Sequence, residues 1–299
     1  MAAPETAPIL IIGQSGQLAQ ALVAGAAAAG RPVVAMGRHE VDLADRARLA
    51  RAVERVGPSA VINAGAYTRV DAAESEREAA YALNADGPGV LADLCAGAGV
   101  PIVHVSTDCV FDGLKAGAYT EEDAPNPESV YGQSKLAGER AVAERAERHM
   151  IARVSWVFSA YAGSFVKIML TLAQDRDTLR VVADQFGHPT HADDVAAGLF
   201  TMVDAACAPG FEDWGTYHLA GDTATHRAGQ AERVLAASAR LGGPTAAVEP
   251  ISTADFGAAA PRPANACLDA RRARTRFGLQ FGDWETQTDA TVAALLRSF

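Results

Sequence analysis

The chain has 299 residues, enough for one large or two modest domains with an ample core. Hydrophobic residues make up 49% and charged residues 21%, and the formal net charge of −10 argues against a general nucleic-acid or anionic-membrane binder. Four scattered cysteines (Cys95, Cys109, Cys207, Cys267) include no pair at metal or redox spacing, so reduced thiols, no metal site and a cytoplasmic location are expected. The opening Met-Ala-Ala-Pro-Glu-Thr has no basic leader, and no apolar run is long enough to span a bilayer.

Pro8-Ile-Leu-Ile-Ile12 is a continuous apolar run that ends in Gly13-Gln-Ser-Gly-Gln-Leu-Ala19. A buried parallel strand, a glycine turn and a helix open a dinucleotide-binding unit. Gly13 allows the tight turn, and Gly16 lets the backbone approach a pyrophosphate at the helix N-terminus. Ala19 stands where a third glycine is common and is small enough for close helix–strand packing. A plain strand-to-helix turn reads the same way, so the motif needs context.

That context follows along the chain. Residues 32–36 read as a second strand, 44–56 as a helix, and 60–66 as a third strand whose small-residue end leaves room for a flat cofactor ring. Residues 71–96 carry one long helical pattern, and 101–107 form a fourth buried strand. The alternation predicts an α/β fold, a doubly wound parallel sheet of Rossmann type with ligands at the carboxyl ends of its strands. Discrimination for NAD usually comes from an acidic residue about 20 positions after the glycine turn. Here the chain reads Gly37-Arg38-His39, with no carboxylate until Glu40. Arg38 suits a 2′-phosphate, so NADPH is expected, with NADH permitted should Glu40 turn to the ribose.

Thr107 and Asp108 fall at the end of the fourth strand. Ser129-Val-Tyr-Gly-Gln-Ser-Lys135 then places Tyr131 and Lys135 on one helix face. An ammonium held beside a tyrosine favours the phenolate, which suits proton transfer. The pair alone is common on solvated helix faces. In this order, after a glycine turn and a Ser-Thr strand end, it is far more specific.

In the second half, 149–158 reads as a strand, 164–173 as a helix, 179–183 as a strand and 184–190 as a loop. A helix over 193–203 and a strand over 216–220 follow, and helices at 228–240 and 283–297 flank a Pro/Gly-rich connector. The expected organisation is a dinucleotide-binding core over 1–160, its sheet completed by segments from about 179–221. Residues 161–299 would form mainly a smaller, discontinuous C-terminal substrate lobe. His188 and His191 read as loop residues. Arg262, Arg271, Arg272, Arg274 and Arg276 form a basic run, read as a solvated face with Arg262 nearest a substrate phosphate.

Five stretches carry a family resemblance: Asn63-Ala-Gly-Ala-Tyr-Thr-Arg-Val-Asp-Ala-Ala-Glu74, Val105-Ser-Thr-Asp-Cys-Val-Phe-Asp-Gly113, Val130-Tyr-Gly-Gln-Ser-Lys-Leu-Ala-Gly-Glu139, Arg153-Val-Ser-Trp-Val157 and Asp184-Gln-Phe-Gly-His-Pro-Thr190. Over nearly its whole length the chain resembles the extended short-chain dehydrogenase/reductases and, within them, the dTDP-4-dehydrorhamnose reductase family. The resemblance implies NAD(P)H-dependent reduction of the C4 carbonyl of a 4-keto-6-deoxysugar nucleotide, dTDP-4-dehydrorhamnose to dTDP-rhamnose. It assigns Tyr131 as proton donor, Lys135 as the cation that depresses the tyrosine pKa and holds the ribose, and Thr107 as the group that orients the carbonyl. Cofactor contacts implied are Gly13, Gly16, Gln17 and Leu18 at the pyrophosphate, Arg38, Asp42 and Leu43 at the adenosine end, and Ala64, Ala66, Tyr67 and Thr68 towards the ribose, with Tyr131 and Lys135. Substrate contacts implied are Val70, Thr107, Asp108, Trp156 and Arg262. A sugar-nucleotide substrate is the expected partner, and a homodimer is compatible with the family.

Three departures from the family pattern lie on the expected substrate side. Cys109 stands where an aromatic is common, Thr225-His-Arg227 lacks the aromatic usual there, and 258–263 is a changed Arg-Arg-Pro loop. Three rivals share the fold: a nucleotide-sugar 4,6-dehydratase, another nucleotide-sugar reductase or epimerase, and a non-catalytic NADP-binding regulatory subunit of the methionine adenosyltransferase beta type. Dehydratases resemble Thr-Asp-Glu at this strand end, where Cys109 cannot serve as the extra acid.

Overall fold

The computed structural model describes residues 7–297; the opening hexapeptide lies outside the described residues. The run Ile9–Ile12 is apolar at every position and buried at every position, as a strand covered on both faces must be. It is β1 of a six-stranded, all-parallel sheet. Its companions are β2 (Val33–Met36), β3 (Ala60–Asn63), β4 (Ile102–Thr107) and β5 (His149–Val154). The chain then makes β6 (Val157–Phe158), β7 (Thr178–Val182), β8 (Phe186–Gly187) and β9 (Thr190–His191) before returning to the sheet as β10 (Gly215–Leu219). The spatial order is β10-β5-β4-β3-β1-β2. Growth reverses after β2, so a crevice opens at the carboxyl ends of β1 and β3, where doubly wound folds bind ligands.

Helices cover both faces. On one, α1 (Gln17–Ala28), α8 (Ala192–Cys207) and α11 (Arg271–Phe277) bury Leu22, Ala26, Leu199, Met202 and Ala273. On the other, α2 (Arg46–Val56), α5 (Gly87–Ala98) and α6 (Val130–Arg145) bury Leu49, Val53, Leu91, Cys95 and Val142. A third core of Phe158, Leu170, Leu179, Val234, Trp284 and Val292 is drawn from two separate stretches. It packs α7 (Phe165–Leu172), α9 (Arg227–Arg240) and α12 (Trp284–Leu296) against β7.

Four readings need correction. The helical pattern over 71–96 is not one helix but α3 (Val70–Ala73), α4 (Arg77–Tyr81), a wide π turn over Ala82–Asp86, and then α5. Pro88 has no N–H to donate and its ring crowds the preceding turn, which the wider turn accommodates. The strand over 149–158 breaks at Ser155-Trp156, where Trp156 adopts φ +43°. The 184–190 loop contains β8 and β9, which pair with β11 (Thr225–His226), β13 (Asn265–Ala266) and β6. The Pro/Gly-rich connector holds β12 (Ala247–Ile251) and α10 (Thr253–Phe256). β12 pairs with β7 in a two-stranded sheet of their own, so β7 does not join the main sheet.

Candidate active site

The crevice is built mostly from backbone. Gly13 sits at φ +125°, where an added Cβ would come within 3.3 Å of the Ala64 carbonyl carbon. Gly16 caps α1 with no side chain over its first N–H groups, and nothing would meet a Cβ there. Those N–H groups and the helix dipole make an anion site open to a pyrophosphate. Gly13, Gly16, Arg38, Asp42, Leu43, Ala64, Ala66 and Thr68 all line one cavity of about 290 Å³, so the residues present fit a dinucleotide. Gln17, Leu18 and Tyr67 are not among its lining residues. The Gln17 side-chain carbonyl accepts from Ser159 at 2.9 Å, and Leu18 packs against the core. The Tyr67 hydroxyl donates to Glu76 at 3.0 Å. At the end of β2 the Arg38 side chain is 80% exposed and lies 3.8 Å from Asp42, while Glu40 accepts the Gly37 N–H at 3.2 Å.

Beside this crevice, the end of β4 and the start of α6 bring the Thr107 hydroxyl to the Tyr131 phenol, with Lys135 one turn further along α6. Ser129 accepts the Gly132 N–H and so starts α6 one residue before Tyr131. The Thr107 hydroxyl donates to Asp108 at 2.8 Å and accepts from the Cys109 N–H at 3.2 Å. Ser155 donates to the other Asp108 oxygen at 2.8 Å. Burial pushes the Asp108 carboxyl up, and the hydrogen bonds from Thr107 and Ser155, with the charge of Arg227, pull it back. Burial first, then Cys109 and Asp108, push the Tyr131 phenol well above its ordinary value, and the Thr107 hydroxyl opposes them. The Lys135 ammonium donates to the Val105 carbonyl at 2.7 Å, and burial lowers its pKa to about 8 against the pull of Glu139. Glu139 is itself buried, holding Arg153 at 2.9 and 2.6 Å and accepting from Ser106 at 2.5 Å.

The substrate side is made by side chains from distant segments. The Trp156 indole lies flat against Gly187, where an added Cβ would sit 2.4 Å from the ring. On the ring, 3.5 Å from its centroid, is the guanidinium of Arg227. Sequence reasoning did not single out Arg227; its one signal was the departure at Thr225-His-Arg227. Arg262 donates to Asp71 at 2.8 Å, and Asp71 also accepts the Ala260 N–H at 3.1 Å. That link ties the 258–263 loop to the turn of helix that Val70 opens. The rest of the basic run is engaged rather than merely solvated. Arg271 pairs with Asp269, Arg274 with Asp222 and Arg276 with Asp213, and Arg272 lies 4.7 Å over the Tyr217 ring.

A larger cavity of about 900 Å³ lies by the edge strand β10, lined by Glu121, Tyr217, Asp269 and Arg272 among others. It holds neither the glycine turn nor Tyr131, so the chemistry, not size, sets the site. His188 bonds the Leu268 carbonyl and His191 bonds Thr291. Among the described residues no three His, Cys, Asp or Glu side chains are grouped to hold a metal ion, and no helix is long and apolar enough to cross a membrane.

The comparisons with known proteins agree with this geometry. The family model described as the RmlD substrate binding domain matches residues 7–297. The dTDP-4-dehydrorhamnose reductase of Sinorhizobium fredii is 42% identical over 292 residues, covering 96% of this chain and 97% of that protein. That of Burkholderia thailandensis is 41% identical over 298 residues, covering 96% and 99%. The crystal structure of dTDP-4-dehydrorhamnose reductase from Bacillus anthracis in complex with NADP superposes with a TM-score of 0.89 at 30% identity, covering 97% of this chain and 99% of that one. With its glycine-turn crevice, its Thr107, Tyr131 and Lys135 cluster and these relatives, the chain belongs to the dTDP-4-dehydrorhamnose reductase family of the extended short-chain dehydrogenase/reductases.

Proposed function

We propose that the protein reduces the C4 carbonyl of a 4-keto-6-deoxysugar nucleotide, dTDP-4-dehydrorhamnose to dTDP-rhamnose, using NADPH in preference to NADH. The observation that carries the reading is the Thr107 hydroxyl at the Tyr131 phenol, with Lys135 one turn along the same helix, in a chain of this family. When bound, the nicotinamide supplies the hydride. The protein supplies the proton and the geometry. Tyr131, its phenol held up by burial, is protonated at working pH and gives its proton to the sugar O4 as charge develops there. Thr107 turns its hydroxyl from Asp108 to that same oxygen and orients it. Lys135, still mostly charged near neutrality, stabilises the phenolate left behind and takes the ribose hydroxyls.

Asp108, Trp156, Val70 and Arg262 line the sugar-nucleotide side in this reading. The core over 1–160, completed by the later sheet strand, holds the cofactor, and 161–299 supply most of the substrate lobe. A homodimer working in the cytoplasm, without nucleic acid or membrane, completes the proposal. The test is the purified protein with NADPH and a panel of 4-keto-6-deoxysugar nucleotides, with the product identified by NMR. One NADPH oxidised per sugar reduced is expected. Water loss from a 4-hydroxysugar nucleotide without net cofactor use would make it a dehydratase instead. Cofactor binding with no turnover on any keto sugar would favour the regulatory-subunit reading.

A further inference from the structure

Arg227 has no part in the chemistry above, yet it sits in the cleft where the substrate would lie. It opens α9, stacked on Trp156 and 5.1 Å from the Phe165 ring centroid. Its one hydrogen bond goes to Gln230 at 3.1 Å, and among the described residues it is in no ion pair. The Trp156 face favours the cation, but no carboxylate pairs with it among the described residues. The first turn of a helix already carries partial positive charge. Burial lowers the Arg227 pKa to about 10, Arg262 acts in the same direction, and Asp108 and Cys109 oppose. The nearby carboxylate of Asp108 is already held by Thr107, Ser155 and Cys109. Arg227 thus brings a part-buried guanidinium with no carboxylate partner to a cleft whose own carboxylate is engaged, and such a cation calls for an incoming anion.

The positions that leave the family pattern converge here. The Cys109 thiol bonds Asp108, Ser155 bonds the same carboxylate, and Arg227 lies on the ring of the next residue, Trp156. Resting on the reductase reading, we propose that Arg227 is the specificity-determining residue for the diphosphate of the sugar nucleotide. Its guanidinium takes the phosphate oxygens while its stem stays on the Trp156 ring.

The rival is that Arg227 only covers the indole. Binding of thymidine diphosphate, thymidine and NADPH, each by calorimetry, separates the two without requiring turnover. Arg227→Met keeps an apolar stem on the ring and removes the charge. It should weaken thymidine diphosphate binding by roughly ten- to a hundredfold, the worth of charge-assisted hydrogen bonds. Thymidine and NADPH binding should be unchanged, and Arg227→Lys should recover part of the loss. In turnover the Met variant should raise KM by a similar factor with little change in kcat. Unchanged thymidine diphosphate affinity, an equal loss for thymidine, or a lysine variant as weak as the methionine one would overturn the proposal. A readout that needs no variant is salt: the native affinity for thymidine diphosphate should fall as salt rises while that for thymidine does not. A salt-independent diphosphate affinity would also overturn it. Failure to reduce any keto sugar, with these binding differences intact, would sink the reductase reading and leave the Arg227 site standing.

Discussion

The cofactor crevice and the proposed substrate cleft lie side by side but are built by different means. The crevice is local. One strand, one turn and one helix supply Gly13, Gly16 and the open N–H groups of α1, and the neighbouring strand ends add small residues. The proposed cleft draws on residues at positions 70–71, 107–109, 155–156, 187, 227 and 260–262, held by contacts across the chain. A backbone site tolerates drift in sequence as long as the turn survives. A side-chain site changes its preference with each substitution.

Substitutions on either side of this divide should therefore separate cleanly. The largest effect belongs to the shared chemistry. Tyr131→Phe should lower kcat by about 10²–10⁴, the usual worth of general acid catalysis, and leave NADPH affinity close to native. Near-normal turnover would remove Tyr131 from the mechanism.

Next comes Lys135. Its folded pKa of about 8 lies below its ordinary 10.5, so between those values the unfolded chain binds a proton the fold has released. Stability should accordingly rise with pH through that window, by about 3 kcal/mol in total. The burial penalty is fully present below pH 8. Urea titrations at pH 8 and above should show the rise in the native protein and lose it in Lys135→Met, which should also be inactive. A pH-independent native stability would mean that the ammonium is well solvated.

A smaller effect tests the crevice alone. Arg38→Ala should remove most of the preference for NADPH over NADH, roughly ten- to a hundredfold in catalytic efficiency. The competing feature is Glu40, already at the end of β2 on the Gly37 N–H. Equal use of NADH by the native protein would show that Glu40, not Arg38, governs the ribose. Smallest is Asp71→Asn, which weakens a partly exposed pair with Arg262 worth about 1 kcal/mol at most. It should raise the sugar-nucleotide KM a few-fold and leave NADPH binding alone. A change in NADPH binding instead would place that link on the cofactor side.

The same divide explains what could be read from the sequence. The central strands showed as short apolar runs, and the glycine turn and the Tyr131/Lys135 spacing are local patterns, so their placement followed. The wide turn before Pro88 was missed because helical periodicity hides a single missing donor. The left-handed Trp156 gave no local signal, since its conformation depends on Gly187, thirty-one residues later, offering room for the indole. The spacing set Lys135 one turn from Tyr131, but that its ammonium also donates to the Val105 carbonyl of β4 is a contact no spacing reveals. Arg227 stayed hidden for the same reason: only the folded chain sets it over the indole.

The third core is interleaved with the main sheet. Its residues come from before and after α8 and β10, which belong to the sheet side. A recombination cut after the fifth strand would separate the sheet from its sixth, and a cut between α8 and α9 would divide the third core in half. The lobe cannot be inherited or transplanted as a cassette. On the proposed reading, substitutions at single positions such as 109 and 227 change substrate preference while the frame keeps its cofactor.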